Sequence, residues 1–370
     1  MKMKTLITCL SLSAVLAMPT FAADKVLMVL SSHGELNEEG QLQRPGFEFD
    51  EMAKAYLVLK NHDIEVDFAS PKGGAPVADK YDQSKAYNQA FTADNQATHK
   101  LADTLKLADI RAKDYRGVFV VGGKGPMFDL HQDADLQKTI GQIYETDGVI
   151  AAVCHGPAAL VDVKLSDGRY LLEGKKVSGF TNEEEMAFGK KWRPEFAFLL
   201  EDKLKERGAE FIAAPMMLHQ VSVDGRLITG QNPFSTADAA IEMVKAMGIQ
   251  PKPHKDWQDD ATVKLIARLL EGDEAAKTQL EAHQQDYQIE LIGMYGYYQL
   301  MLAQETKAKR VAIELMELAA PAMAEPQLEM AIAQGYQQIG EQKMANNALN
   351  NLLKKWPEHE DAKALLTQWQ

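Results

Sequence analysis

Five consecutive apolar residues, Val149-Ile150-Ala151-Ala152-Val153, run directly into Cys154-His155-Gly156-Pro157. A strand that is apolar at every position has no face to give to water, so it belongs inside a parallel sheet covered by helices on both sides. Gly156 permits close backbone approach and Pro157 suits the first turn of a helix. The chain is therefore predicted to end its strand, turn sharply at the cysteine and enter a helix at once, an elbow with a thiol at its tip.

The flanking sequence has the matching rhythm. From Lys25 to about Gly248 short apolar runs alternate with helical stretches, the pattern of an α/β domain with a mostly parallel sheet. Strands are predicted at 26–30, 64–68, 117–121, 149–153 and 211–213, and helices at 51–59, 100–108, 136–144 and twice within 183–207. The polar stretch 80–98 reads as an excursion from the core. Asp224-Gly225 joins 218–223 to 227–229 as a hairpin, and a helix over 235–247, with Ser235 as its N-cap, closes the domain. Pro251-Lys252-Pro253 then reads as a linker, and beyond it strand signals vanish.

The region 254–370 is read as an all-α, tetratricopeptide-like domain. Ala333, Tyr336, Gly340, Ala345, Leu349 and Pro357 suit a helix pair over 326–357; 312–321 resembles the segment 36 residues later, which implies a degenerate earlier pair over 289–321. An ordinary helical bundle is the alternative. On the repeat reading these helices recruit a protein partner or drive self-association and take no part in the chemistry; the alternative is that they cover the pocket as a lid, through Trp257 or Tyr295, Tyr297 and Tyr298.

Met1-Lys2-Met3-Lys4, an apolar run over 6–18 and Pro19-Thr20-Phe21-Ala22-Ala23 form a secretory signal, cleaved after Ala22. The expected domains are thus a signal peptide over 1–22, an α/β domain over 24–250 and the helical domain over 254–370. Cleavage implies a periplasmic or secreted protein without stable membrane insertion, and it removes Cys9, leaving Cys154 as the one thiol. An unpaired thiol in an oxidising compartment is either an inert buried hydrophobe or a reactive group. The net charge of −13 repels phosphate backbones, which argues against nucleic acid as a partner.

Active sites of doubly wound sheets lie beyond the carboxyl ends of the strands. At one such end Cys154 stands at a predicted helix N-terminus beside His155, a setting expected to depress its pKa. At another, the backbone N–H groups of Gly122 and Gly123 are placed to join that of His155 in holding an oxyanion, with Lys124 on the rim. His33, His131 and His219 are isolated in sequence, so no metal site is expected.

The blocks VVGGKGPMFDL, AAVCHGPAALV, GKKVSGFTNEEE, FLLEDKLKERGAEF and DGRLITGQNPFS resemble, in the same order, the ThiJ/PfpI superfamily, and most closely its chaperone and glyoxalase branch. The resemblance covers about 25–248 and implies a flavodoxin-like, class I glutamine-amidotransferase-like fold. It also implies a catalytic set of Cys154, His155, a glutamate opening the first helix and a third acid after the FTN segment. Gly46-Phe47-Glu48-Phe49-Asp50-Glu51 places the first acid at Glu51, with Glu48 and Asp50 as local competitors. Glu185 matches the third, with Glu184 beside it; the alternative is that Glu183, Glu184 and Glu185 merely charge the first turn of a helix. The family often has histidine where this chain has Lys124, which implies a pocket rim suited to a different, anionic group.

The function implied is a cofactor-independent glyoxalase acting on a small aldehyde such as methylglyoxal. The first strand is followed by no Gly-x-Gly-x-x-Gly fingerprint, in keeping with chemistry that uses neither nicotinamide nor glutathione. An amidase, peptidase or deglycase using the same cysteine is the runner-up, and a stress-response holdase or redox-sensing interaction protein is the third reading.

Overall fold

The computed structural model describes residues 24–369, so the signal peptide expected over 1–22 lies outside the described residues. A seven-stranded sheet is built from β1 (Lys25–Val29), β2 (Glu65–Ser70), β3 (Leu105–Lys106), β4 (Gly117–Val120), β5 (Val149–Val153), β6 (Val221–Asp224) and β7 (Leu227–Gly230). Their spatial order is β6-β7-β5-β4-β1-β2-β3, parallel throughout except for β6, which pairs antiparallel with β7 across the predicted hairpin. The inner run β2-β1-β4-β5-β7 has the flavodoxin-like order, and the chain reverses direction across the sheet between β1 and β4.

Alternation along the strands sends one set of side chains to each face. Val26, Met28, Phe119, Val121, Ala151 and Val153 pack with helices α1 (Phe49–Asn61) and α7 (Thr236–Ala246). Leu27, Val29, Val118, Val120, Ile150 and Ala152 pack on the other face with α4 (Ala134–Glu145). All of β5 is buried, as a continuous apolar run requires.

Several local expectations change. The stretch read as an excursion contains α2 (Ala86–Thr92), whose Tyr87 and Phe91 enter the core, and α3 (Asn95–Ala102) begins five residues before the helix expected at 100. The two aromatics are spaced i, i+4, a helical signal that the surrounding polar residues masked. Ser235 precedes α7 without capping it; its hydroxyl instead accepts from the Gln220 N–H at 3.2 Å. The predicted helices of 183–207 are α5 (Asn182–Phe188) and α6 (Leu200–Glu206).

Beyond the linker come α8 (Gln258–Leu270), α9 (Glu274–Ala282), α10 (Ile289–Leu302), α11 (Thr306–Met323), α12 (Pro326–Gln338), α13 (Gln342–Lys355) and α14 (Glu360–Gln368). Helices α10 with α11 and α12 with α13 form adjacent pairs at the places where the 36-residue similarity put them. They do not stand apart from the α/β unit. Met216, Met217 and Leu218 share one core with Val263, Ile266, Ile292 and Tyr295, and the buried Lys54 of α1 pairs with Asp259 at 2.9 Å and Asp260 at 2.5 Å, both on α8. Burial works against the charge on Lys54, but the two carboxylates outweigh it and hold its pKa above the ordinary lysine value.

Candidate active site

Where β5 ends, Cys154 adopts φ 58°, in the left-handed region that residues with a side chain rarely enter. The conformation is held from both sides: Cys154 N–H donates to Gly230 O, and Phe180 N–H donates to Cys154 O, each at 2.9 Å. A Cβ on Gly156 would lie 2.5 Å from Val120 O, so only glycine lets the turn pass this close to the sheet. The helix expected after the elbow is a short 3₁₀ turn, Gly156–Leu160, with little dipole to offer a thiolate.

Two proton carriers meet the sulfur. His155 Nδ1 lies 3.4 Å from Sγ, and Nε2 lies 2.6 Å from Glu185 Oε2. If the carboxylate accepts from Nε2–H, the Nδ1 lone pair is left facing the thiol. Glu51, fully buried on α1, is close enough to the thiol for each to shift the other's pKa; its Oε2 accepts the Gly122 N–H at 2.7 Å, and its Oε1 makes no hydrogen bond among the described residues.

The neighbouring acids sort themselves by helix geometry. Asp50 points elsewhere, accepting from Lys85 at 2.6 Å, Tyr87 at 3.0 Å and Asn88 at 2.6 Å. Glu184 closes a capping box with Thr181 and accepts from Met217 N–H, Gln231 and Asn232, so it braces the wall and leaves His155 to Glu185. Consecutive helix residues are about 100° apart around the axis, so only one of the pair can face the histidine.

The expected oxyanion pocket is corrected in part. Gly122 spends its N–H on Glu51, and the Gly123 N–H is directed at the Cys154 sulfur. Both positions require glycine: a Cβ on Gly122 would lie 2.6 Å from Cys154 Cβ, and Gly123 has φ 85°. Lys124 is half-buried on the cavity wall, as its place on the rim implied.

The expected depression of the Cys154 pKa is also reversed. Burial first, and the Glu51 carboxylate second, push the thiol well above its ordinary value, against the pull of the Gly123 N–H. Burial and Glu48 likewise push Glu51 well above the usual carboxylate range, and burial lowers His155 against the raising effect of Glu185. Glu51 and Cys154 thus behave as one coupled acid pair that retains a proton at neutral pH. With that proton on Glu51, the carboxylate repulsion on the sulfur disappears.

The cavity over the sulfur measures about 240 Å³. Of the expected residues Gly123, Lys124, Cys154 and His155 line it, while Glu51, Gly122 and Glu185 stand behind that lining; Glu48, Asp79, Phe180, Met217, Asn232 and Met294 line it as well. In the sequence Glu48 stands only as a rival to Glu51, and nothing there marks Asp79 or Met294, which reach the site through tertiary packing alone. His33, His131 and His219 do not line it, and no cluster with the makings of a metal site occurs among the described residues.

Glu48 opens onto the cavity, and burial, followed by the charges of Asp50 and Asp79, pushes its pKa up from 4.5 to about 8. Its proton is held in the folded state and lost far earlier in the unfolded one. This contribution to stability is complete below about pH 4.5 and gone once pH passes about 8. Glu48→Gln, neutral at every pH, is expected to flatten the fall in urea midpoint between pH 5 and 9; equal slopes for the two proteins would mean that Glu48 is ionised in the fold.

The family model described as the DJ-1/PfpI family matches residues 42–246. A glutathione-independent glyoxalase of Schizosaccharomyces pombe is 34% identical over 238 residues, 60% of this chain and 97% of that protein. Another, of Saccharomyces cerevisiae, is 31% identical and covers 61% of this chain and 99% of its own length. Among solved structures, the 24 kDa rapid encystment protein of Francisella tularensis is 32% identical with TM-score 0.56, covering 60% of this chain and 99% of that one. Glyoxalase III of Candida albicans is 26% identical with TM-score 0.55, covering 60% and 97%. The match to the family model ends before α8 begins.

Proposed function

This chain belongs to the DJ-1/PfpI family, and from that premise we propose that it is a cysteine-dependent glyoxalase, converting 2-oxoaldehydes such as methylglyoxal to 2-hydroxy acids without glutathione or a nicotinamide. The observation that carries this reading is one sulfur on the wall of a small cavity with His155 Nδ1 at 3.4 Å and the buried Glu51 carboxyl close enough to shift its pKa. An isomerisation that moves hydrogen between adjacent carbons needs a nucleophile and two proton carriers, and no external oxidant. The relatives named glyoxalases support the same class.

In the proposed cycle His155 takes the thiol proton as sulfur bonds to the aldehyde carbon, and neutral Glu51 protonates the resulting alkoxide, giving a hemithioacetal. Glu51, now a carboxylate, removes the C1 hydrogen. The electron pair of that bond forms the C1–C2 double bond, and the C2 oxygen takes the proton from His155. Glu51 returns its proton to C2 while the C1 hydroxyl gives its own to His155, leaving a thioester. Water attacks C1 with its proton passing to Glu51, and the thiolate leaves with the proton of His155. C1 is oxidised, C2 is reduced, and one water is consumed.

Purified protein given methylglyoxal alone is expected to form lactate; disappearance of the aldehyde without lactate, or no reaction, would remove the proposal. Glu51→Gln is expected to keep the fold, because an amide oxygen still accepts the Gly122 N–H, and to lower kcat by about 10²–10⁴. The same change removes the carboxylate that raises the thiol, so the inflection of Cys154 alkylation with pH should move down. An unchanged inflection would separate Glu51 from the sulfur.

The Cys154, His155 and Glu185 relay also suits acyl transfer, and hydrolysis of a small activated ester is the second reading. We further propose export by the signal read over 1–22, tested by the N-terminal sequence of the protein recovered outside the cytoplasm.

A further inference from the structure

The family-like part of the chain does not complete the cavity by itself. Met294, on α10, lies well beyond the family match and lines the same space as Cys154, His155 and Phe180. It is 40% exposed, which puts it at the mouth of the cavity. Two contacts back it. Tyr298, one turn further along α10, sets its ring edge-on at 4.9 Å from Phe188, another wall residue. Tyr295 and Ile292, on the inner side of α10, are buried in the core shared with Met216 and Met217.

The helix that carries Met294 is also fixed to the catalytic helix. Lys54 lies three residues after Glu51 on α1 and is held by Asp259 and Asp260 of α8, which packs against α10. A wall anchored in this way has little freedom to withdraw when substrate enters. The cavity of about 240 Å³ lies below the ~300–1,000 Å³ of sites that take drug-sized ligands.

We infer that α10, through Met294, is the wall that selects substrate by size: it admits short 2-oxoaldehydes and turns away those with a bulky group on C2, as well as aldehyde adducts carried on peptides. The inference rests on the glyoxalase reading for the identity of the substrate, but its geometric content concerns access to the Cys154 sulfur. It makes the appended helical region part of the active site of this chain.

The test uses the full chain with Met294→Ala and Met294→Trp, and Met301→Ala as a control on the same helix, 59% exposed and not lining the cavity. The first readout is kcat/KM for phenylglyoxal divided by that for methylglyoxal. A pocket contact of one methylene discriminates by ~10–200-fold, so Met294→Ala should raise this ratio by about 10-fold or more and Met294→Trp should lower it. The second readout needs no turnover: the rate of Cys154 alkylation by a bulky aryl maleimide relative to iodoacetamide, with Cys154→Ala to subtract labelling elsewhere. It should move in the same directions, while Met301→Ala moves neither ratio.

If wild-type protein fails to make lactate but the alkylation ratio shifts as stated, the glyoxalase reading is lost and the wall stands. If lactate forms and both ratios stay within about twofold in the two Met294 variants, or Met301→Ala shifts them equally, the wall is refuted.

Discussion

Cys154→Ala is expected to abolish lactate formation from methylglyoxal while leaving the fold in place. Each covalent state of the proposed cycle is attached to this sulfur, and a methyl group can neither add to the aldehyde nor leave from the thioester. Loss of a nucleophile costs roughly 10⁴-fold or more, which here leaves only the uncatalysed background. Structural loss is expected to be small. The two bonds that fix the left-handed turn, to Gly230 O and from Phe180 N–H, are made by the backbone and survive the change. Alanine tolerates φ 58° about as poorly as cysteine, so little new strain enters. Cys154→Ser should be inactive too, because a buried hydroxyl is far harder to ionise than a thiol. The check is lactate production beside thermal unfolding. Residual turnover within tenfold of wild type, with Tm unchanged, would place the chemistry on another group.

Removing the helices is the second large effect. A chain ending at Gln250 is expected not to accumulate as a native, soluble protein, contrary to the sequence-based expectation of a separate module. Lys54 would lose both Asp259 and Asp260 together with the α8 surface that buries it beside them. Met216, Met217 and Leu218, buried in the core shared with α8 and α10, would face water. At ~1.5–3 kcal/mol for each buried Met or Leu side chain, exposing these three removes much of the ~5–15 kcal/mol that a typical domain has. Asp259→Asn with Asp260→Asn in the full chain isolates the ionic part and should lower the urea midpoint clearly. If the shortened chain proved soluble, with wild-type Tm and methylglyoxal turnover, the helices would be passengers.

The elbow, the adjacency of Cys154 and His155, the parallel sheet and the hairpin at Asp224-Gly225 were all legible in the sequence. Each is a short-range property: an apolar run long enough for one strand, a glycine and a proline at fixed offsets, a turn dipeptide between two strands. Glu51 was legible through its spacing from Gly46 in a resemblance, and the structure puts its carboxyl against the sulfur. The resemblance put the third acid at Glu185, although both it and Glu184 suit a helix N-terminus; the rotation of α5 against the elbow turns Glu185 to His155.

Tertiary structure alone decided the electrostatics of the site and its outer wall. The direction of a pKa shift is set by burial and by charges that arrive through space, so a cysteine beside a histidine, read locally, predicted a lowered thiol where burial and Glu51 raise it. The Gly122 N–H looked free in a glycine loop until Glu51, 71 residues away, was found to accept it. The ion pair between Lys54 and Asp260 spans 206 residues, and no local pattern links two such positions. The same packing of helix against helix brings Met294 to the cavity that holds the thiol. Sequence periodicity says which face of a helix is apolar, but only the closed fold says what that face is buried against.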